Sequence, residues 1–149
     1  MSGTEPRPSG IEGRGLFATR PHRAGERLAV YHGPVVTEPP GPDREGRLHA
    51  LELGPGRWID GRDPSNLARL ANHSCRPTAE AVRVGDTVEL RALADLAEGA
   101  EVTFDYGLGL AEALGNPCRC GAPGCPGFIV AEPLRPLLRR QLRGGKARD

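Results

Sequence analysis

Four cysteines constrain this chain more than any other feature. Cys118, Cys120 and Cys125 form C-x-C-x4-C with Gly121, Pro123 and Gly124 between them, and the only other cysteine, Cys75, lies 43 positions upstream. Short loops of small residues let three thiolates converge on one ion, and structural zinc takes four ligands in a closed tetrahedron. The count closes only if Cys75 folds back onto the C-terminal cluster. A four-thiolate site would tie the C-terminal loop to the middle of the chain and turn binding energy into folding energy. Spacing alone leaves two alternatives open, reduced thiols and oxidised pairs.

At 149 residues the chain fits one domain. With 21 glycines, 15 prolines and only 4% aromatics, long helices should not dominate, and a turn-rich, short-strand architecture is expected. A net charge of +1 gives the body no basic footprint for nucleic acid. No apolar run reaches the ~18 residues of a membrane span, and Met1–Gly10 has no apolar signal core. We therefore expect a cytoplasmic protein, where cysteines serve as metal ligands or free thiols more often than as disulfides.

Residues 1–10 read as a disordered lead. Leu16–Ala18, Arg27–Tyr31, Arg57–Asp60 and Glu101–Phe104 read as short strands. Residues 37–56 read as loop, with a short helix around Glu45–Leu53. Asp63-Pro64 resembles an N-cap followed by proline at the first helical position, which predicts a helix to about Ala71. Thr78–Val84 and Thr87–Ala92 flank Gly85-Asp86, a hairpin signal. Residues 132–143 suggest a basic amphipathic helix from about Pro136, within a tail otherwise expected to be solvated and frayed.

Gly13-Arg14-Gly15-Leu16-Phe17-Ala18 fits the dinucleotide pattern G-x-G-x-x-[G/A], but that fingerprint needs a buried strand before it and a helix after it. The upstream segment is polar and broken by proline, and Pro21 and Gly25 leave no room for the helix. A glycine-rich turn leading into a strand remains, and its accessible backbone suits close approach to some other ligand.

Taken together, these stretches resemble a known family. Arg69-Leu70-Ala71-Asn72-His73-Ser74-Cys75-Arg76-Pro77 resembles the R-F-[IA]-N-H-S-C-x-P signature of SET-domain protein-lysine methyltransferases, and Glu101-Val102-Thr103-Phe104-Asp105-Tyr106 resembles their E-[LV]-T-[FY]-D-Y. The Gly13–Ala18 stretch resembles the family's opening G-x-G motif, Tyr31-His32-Gly33 its Y-x-G element, and the cysteine cluster its post-SET zinc module. All five occur in family order across residues 11–129.

The resemblance implies a mostly β, β-clip-like SET fold. It has several small, mostly antiparallel sheets, few short helices, and a knot-like threading of the C-terminal motif near Asn72–Cys75. The implied division is a lead at 1–10, a SET domain at 11–107, a post-SET segment at 108–130 and a basic tail at 131–149.

It also implies S-adenosylmethionine as cofactor, structural Zn2+ on Cys75, Cys118, Cys120 and Cys125, and a lysine-containing protein as substrate. Arg14, Gly15, Leu16, Arg69, Asn72, His73, Tyr106 and Phe128 would hold the cofactor. Tyr106 and Tyr31 would be catalytic, and Tyr31, Phe104 and Tyr106 would line the lysine channel. Such chemistry needs a neutral amine held in line, so burial and positioning carry it without an acid–base triad. Phe104 leaves space where a tyrosine hydroxyl would hold a water, which favours di- or trimethylation.

Thr78 departs from the family's usual asparagine, with a local effect expected. The short 37–56 insert puts substrate breadth in doubt. We expect a minimal catalytic unit, a monomer, with no membrane contact and at most weak acidic-protein or nucleic-acid contact by the tail. Its sole lysine, Lys146, is the only position for self-methylation. The rival readings are a catalytically silent SET-like module that binds cofactor or peptide, and a zinc-stabilised interaction protein.

Overall fold

The computed structural model describes residues 3–42 and 49–148. In chain order its strands are β1 (Thr4–Pro8), β2 (Arg14–Ala18), β3 (Arg27–Tyr31), β4 (Val35–Val36), β5 (Ala50–Gly54), β6 (Arg57–Asp60), β7 (Asn72–His73), β8 (Ala79–Val84), β9 (Thr87–Ala92) and β10 (Glu101–Phe104). Helices α1 (Leu110–Ala113) and α2 (Arg135–Arg148) follow. The strands form three small sheets, ordered β1-β2-β10-β7, β3-β9-β8 and β4-β6-β5.

Alternation builds the largest hairpin. Val88, Leu90 and Ala92 of β9 point into the core, and Gly85 takes φ +61° at the first turn position, where II′ turns favour glycine. On β8 only Ala79 is buried, and Val84 stays exposed on the outer face. Leu16, Ile59, Leu90 and Val102 are fully buried, each contributing about 1.5–3 kcal/mol by leaving water.

Thr78 locks β10 to the chain entering β8. Its hydroxyl donates to the Glu101 carbonyl at 2.8 Å and accepts the Thr103 N–H at 3.0 Å, and its own N–H meets the Thr103 hydroxyl at 3.1 Å. A threonine here thus makes the local clamp that the departure from asparagine left uncertain.

Several sequence expectations are corrected. Thr4–Pro8 is no disordered lead but a strand paired with β2 along its whole length. In the helix expected around Glu45–Leu53, residues 45–48 lie outside the described residues and Ala50–Gly54 is a strand paired with β6. The helix expected from Asp63 shrinks to a 3-10 turn, Leu67–Leu70. Asp63 accepts the Ser65 N–H, an Asx turn. The fully buried Asn66 spends its amide on the His32 N–H and the Gly61 carbonyl. These side-chain bonds compete with helix continuation.

Nor is the tail solvated throughout. A 3-10 turn, Glu132–Leu134, leads into α2, and Leu138 is fully buried with Ala113 and Val130 in a second apolar cluster. The segments divided at residue 130 therefore share one small core.

Tyr31 sits in the main core, 4% exposed, against Gly61, where a Cβ would overlap its ring and hydroxyl. Gly61→Ala is expected to destabilise the fold by about 1–3 kcal/mol through overpacking. Urea unfolding measures this, and an unchanged midpoint would contradict the close packing.

Candidate active site and thiol cluster

The strand β7 pairs with β10 in parallel, Thr103 opposite Asn72 and Phe104 opposite His73, and Ser74 N–H extends the ladder to the Phe104 carbonyl. This juxtaposes the two motifs across 30 positions of chain, as the resemblance implied. It is also a parallel pair within an otherwise antiparallel set.

Just beyond the pairing, the Tyr106 N–H donates to His73 Nδ1 at 3.0 Å, and the Tyr106 hydroxyl donates to the Ala71 carbonyl at 2.7 Å. The backbone bond requires an unprotonated Nδ1. Burial supplies it, depressing His73 to about 4 against the opposing pull of Asp105. Burial also holds both the Tyr106 and Tyr31 hydroxyls well above their ordinary range. Tyr106 is therefore a neutral phenol whose proton points at Ala71 and whose oxygen lone pairs are available. Phe104 lies 4.9 Å from the Tyr106 ring, and His73 stands edge-on at 5.4 Å. Tyr31, Phe104 and Tyr106 belong to the same core cluster.

A second network surrounds Asn72. Its Nδ2 donates to Glu101 Oε2 at 2.9 Å, with the Ser9 hydroxyl and the Glu12 carbonyl each at 3.1 Å. Ser9 in turn donates to the Glu101 carboxylate at 2.9 Å. These acceptors fix the amide, and no donor among the described residues reaches Asn72 Oδ1, which is not sealed from solvent. Gly15 lies directly against this carboxylate, for a Cβ there would overlap Glu101 Oε2. Arg14 is exposed beside it, whereas the Leu16 side chain is fully buried in the core and can offer a ligand only its backbone. Gly15, Asn72 and the Glu101 carboxylate thus meet at one polar point, where Asn72 Oδ1 has no donor among the described residues.

Arg69 is less available, since its Nη1 donates to the Pro64 and Asn66 carbonyls. Phe128 packs on the second cluster and bridges to Pro117. Motif reading passed over Ser9, Glu101 and Asp105 as functional partners. Thr4–Pro8 shows no alternation and carries two prolines, leaving the strand and Ser9 after it without a signal.

The four thiols gather as the four-ligand reading of their count needs. The sulfurs of Cys75, Cys118, Cys120 and Cys125 all lie within 4.8 Å of one another. Cys75 Sγ is 3.9 Å from Cys118 Sγ and 3.6 Å from Cys125 Sγ. A tetrahedron with Zn–S of about 2.3 Å has S···S edges of about 3.8 Å, so the donor set fits such an ion.

The Cys120 and Cys125 sulfurs accept N–H groups from Ala122 and Gly127, each at 3.4 Å. Burial pushes the Cys75 thiol up and Cys118 up to about 12. At Cys120 burial is outweighed by donors that include the Cys75 and Ala122 backbones, which bring it down to about 6. Four thiolates crowded this closely need a cation between them to ionise together.

Glu101→Leu is expected to leave the Asn72 amide and the Ser9 hydroxyl short of an acceptor and to cost about 1–3 kcal/mol. Glu101→Gln, which keeps an acceptor oxygen, should recover part of that loss. Equal denaturation midpoints for the two variants would contradict the network.

The family profile described as SET domain matches residues 13–107. Over 135 residues, 81% of this chain, the sequence is 34% identical to the histone-lysine N-methyltransferase ATX2 of Arabidopsis thaliana, covering 12% of that protein. It is 44% identical over 93 residues, 58% of this chain, to the histone-lysine N-methyltransferase, H3 lysine-36 specific, of Mus musculus, covering 4% of it. With the histone H3-lysine(4) N-trimethyltransferase ATX1 of Arabidopsis thaliana it shares 33% over 135 residues, 81% of this chain and 12% of that one. The chain spans an eighth or less of the length of these relatives. It belongs to the SET-domain family.

Proposed function

We propose that this protein transfers a methyl group from S-adenosylmethionine to the ε-amine of lysine in a protein substrate. The observation that carries the reading is the β7–β10 pairing, which sets Asn72, His73 and Tyr106 around one site. The names of the relatives, histone-lysine methyltransferases, point to a basic, lysine-bearing protein as the substrate class. No observation favours the silent-module alternative, because Tyr106 and its hydrogen-bond partners are all in place.

S-adenosylmethionine, when bound, supplies an electrophilic methyl group on a positively charged sulfur. Asn72 Oδ1 and the backbone around Gly15 would hold its ammonium, and Arg14, Leu16 through its backbone, Arg69, His73 and Phe128 would line the rest of its pocket. The Tyr106 oxygen can accept weak C–H contacts from the methyl group or orient the amine. Tyr31, Phe104 and Tyr106 form the wall past which the lysine side chain enters. Lysine's ordinary pKa is about 10.4, and an apolar wall disfavours its charged form, so binding itself promotes the reactive amine. Alignment then contributes the larger share of rate. Phe104 offers no hydroxyl to pin a water beside the amine, which favours a second and third methylation.

Cys75, Cys118, Cys120 and Cys125 would hold structural Zn2+, tying the post-SET segment to β7. We place the protein in the cytoplasm, where reduced thiols remain available to a metal; no helix among the described residues is long and apolar enough to cross a membrane. We expect it to act as a monomer.

Incubation with tritiated cofactor and a lysine-rich protein mixture should label protein, and Tyr106→Phe should abolish the label. S-adenosylhomocysteine should raise the melting temperature of the wild type. Absence of both label and thermal shift would refute the reading. Mass spectra showing only monomethyl product under excess cofactor would refute the role given to Phe104. Chelation should disorder residues 108–130 and lower stability by several kcal/mol, whereas free thiols would leave circular dichroism and melting unchanged.

A further inference from the structure

Arg135 opens α2 and is only 8% exposed. Its Nη1 donates to the Cys75 carbonyl and its Nη2 to Asp105 Oδ2, both at 3.1 Å. Asp105 Oδ2 also accepts the Glu132 N–H at 3.1 Å, while Oδ1 accepts the Gly107 N–H at 2.8 Å. One guanidinium therefore bridges a residue of the thiol cluster and the residue immediately before Tyr106. The Nε of Arg135 is buried without a partner, alone in this among the described side chains.

A buried, incompletely satisfied cation is a poor stabiliser. Apolar residues of similar volume often serve as well or better, and the neighbouring second cluster shows what apolar packing can do here. A fixed fork has another use, because two parallel donors hold two acceptors at a set distance and angle. The acceptors are the Cys75 carbonyl, two residues beyond β7, and the Asp105 carboxylate, one beyond β10. Hydrogen bonds between these strands are few, and the Tyr106 turn departs just where the pairing ends. A cross-brace at that point sets the angle at which Tyr106 leaves the sheet.

We propose that Arg135 is a positioning residue for methyl transfer: its guanidinium braces the Asp105–Tyr106 turn against Cys75, making α2 part of the catalytic unit. This rests on the methyltransferase reading above. The family profile ends at residue 107, so Arg135 lies outside what family membership alone describes. The brace acts through Tyr106 and does not touch the reacting atoms.

The test uses the full, zinc-loaded chain as wild type, Arg135→Ala and Arg135→Lys. Arg135→Ala should lose kcat by about 100-fold, the scale of a small misplacement at an aligned centre, with KM for the cofactor and the zinc-to-protein ratio little changed. Added guanidinium ion at low millimolar concentration should restore part of the rate. Arg135→Lys, with one ammonium unable to span both acceptors, should fall between wild type and Ala; it carries the comparison if Arg135→Ala does not fold.

Amide exchange supplies a readout independent of turnover, and Tyr106, Gly107 and Glu132 should exchange faster in both variants. Wild-type kcat and wild-type exchange in the variants would overturn the proposal, as would a rate loss explained wholly by raised KM or lost zinc. If the wild type itself is inert, the methyltransferase reading fails, and unchanged exchange at Tyr106 then removes the brace as well.

Discussion

Parallel pairing over Asn72–His73 and Thr103–Phe104 is the contact on which the site depends. Two residues of ladder are little by themselves, and parallel pairing is slightly weaker per residue than antiparallel. The pair persists because β10 is held from its other side by β2 and side chains cross-link the two strands and their flanks. Glu101 and Val102 of β10 pair with β2, Thr78 clamps Thr103, and the Asn72 amide is tied to Glu101. Each of these contacts is long-range in sequence, so the site exists only once the surrounding sheets have formed.

That arrangement explains why so much chemistry falls in one small region. His73 receives the Tyr106 N–H on one ring nitrogen, and its other nitrogen lies 3.6 Å from Cys75 Sγ. The Asp105 carboxylate is 3.8 Å from His73 and bonds Arg135. A buried neutral imidazole thus stands between Tyr106 and the thiol cluster. Its neutrality follows from burial, and because it is neutral it can accept the backbone N–H that fixes Tyr106.

Most of the longer strands were legible because they obey simple rules, whereas the two-residue β7, Asn72–His73, gave no strand signal of its own. Thr87–Ala92 alternates, Gly85 supplies the turn, and a four-thiolate reading of the cysteines needed Cys75 to meet residues 118–125. What sequence reasoning missed was decided by partners far away. Asp63-Pro64 carries a good helix-start signal, yet the Asn66 amide is drawn to His32 and Gly61, and the helix ends as one 3-10 turn. Thr4–Pro8 has no apolar alternation, and only pairing with β2 makes it a strand. Arg135 looked like one more charge in a basic tail. Nothing local separates it from Arg139 or Arg140, and its burial is set by Asp105, 30 residues earlier.

The C-terminal segment shows how these long-range contacts divide the energetic work. Its own core is Ala113, Val130 and Leu138 with a few half-buried neighbours, far too little to order some forty residues against a backbone entropy cost of about 1–2 kcal/mol each. The segment must borrow stability, and its main anchors are three thiols converging on Cys75 and one guanidinium converging on Cys75 and Asp105, with the Glu132 N–H also on Asp105. Both anchors meet the body at the same residue, so neither can loosen without loading the other. A segment held this way orders or frays as a unit. Since its attachment point is the end of β7, the same event would reach the alignment of Tyr106.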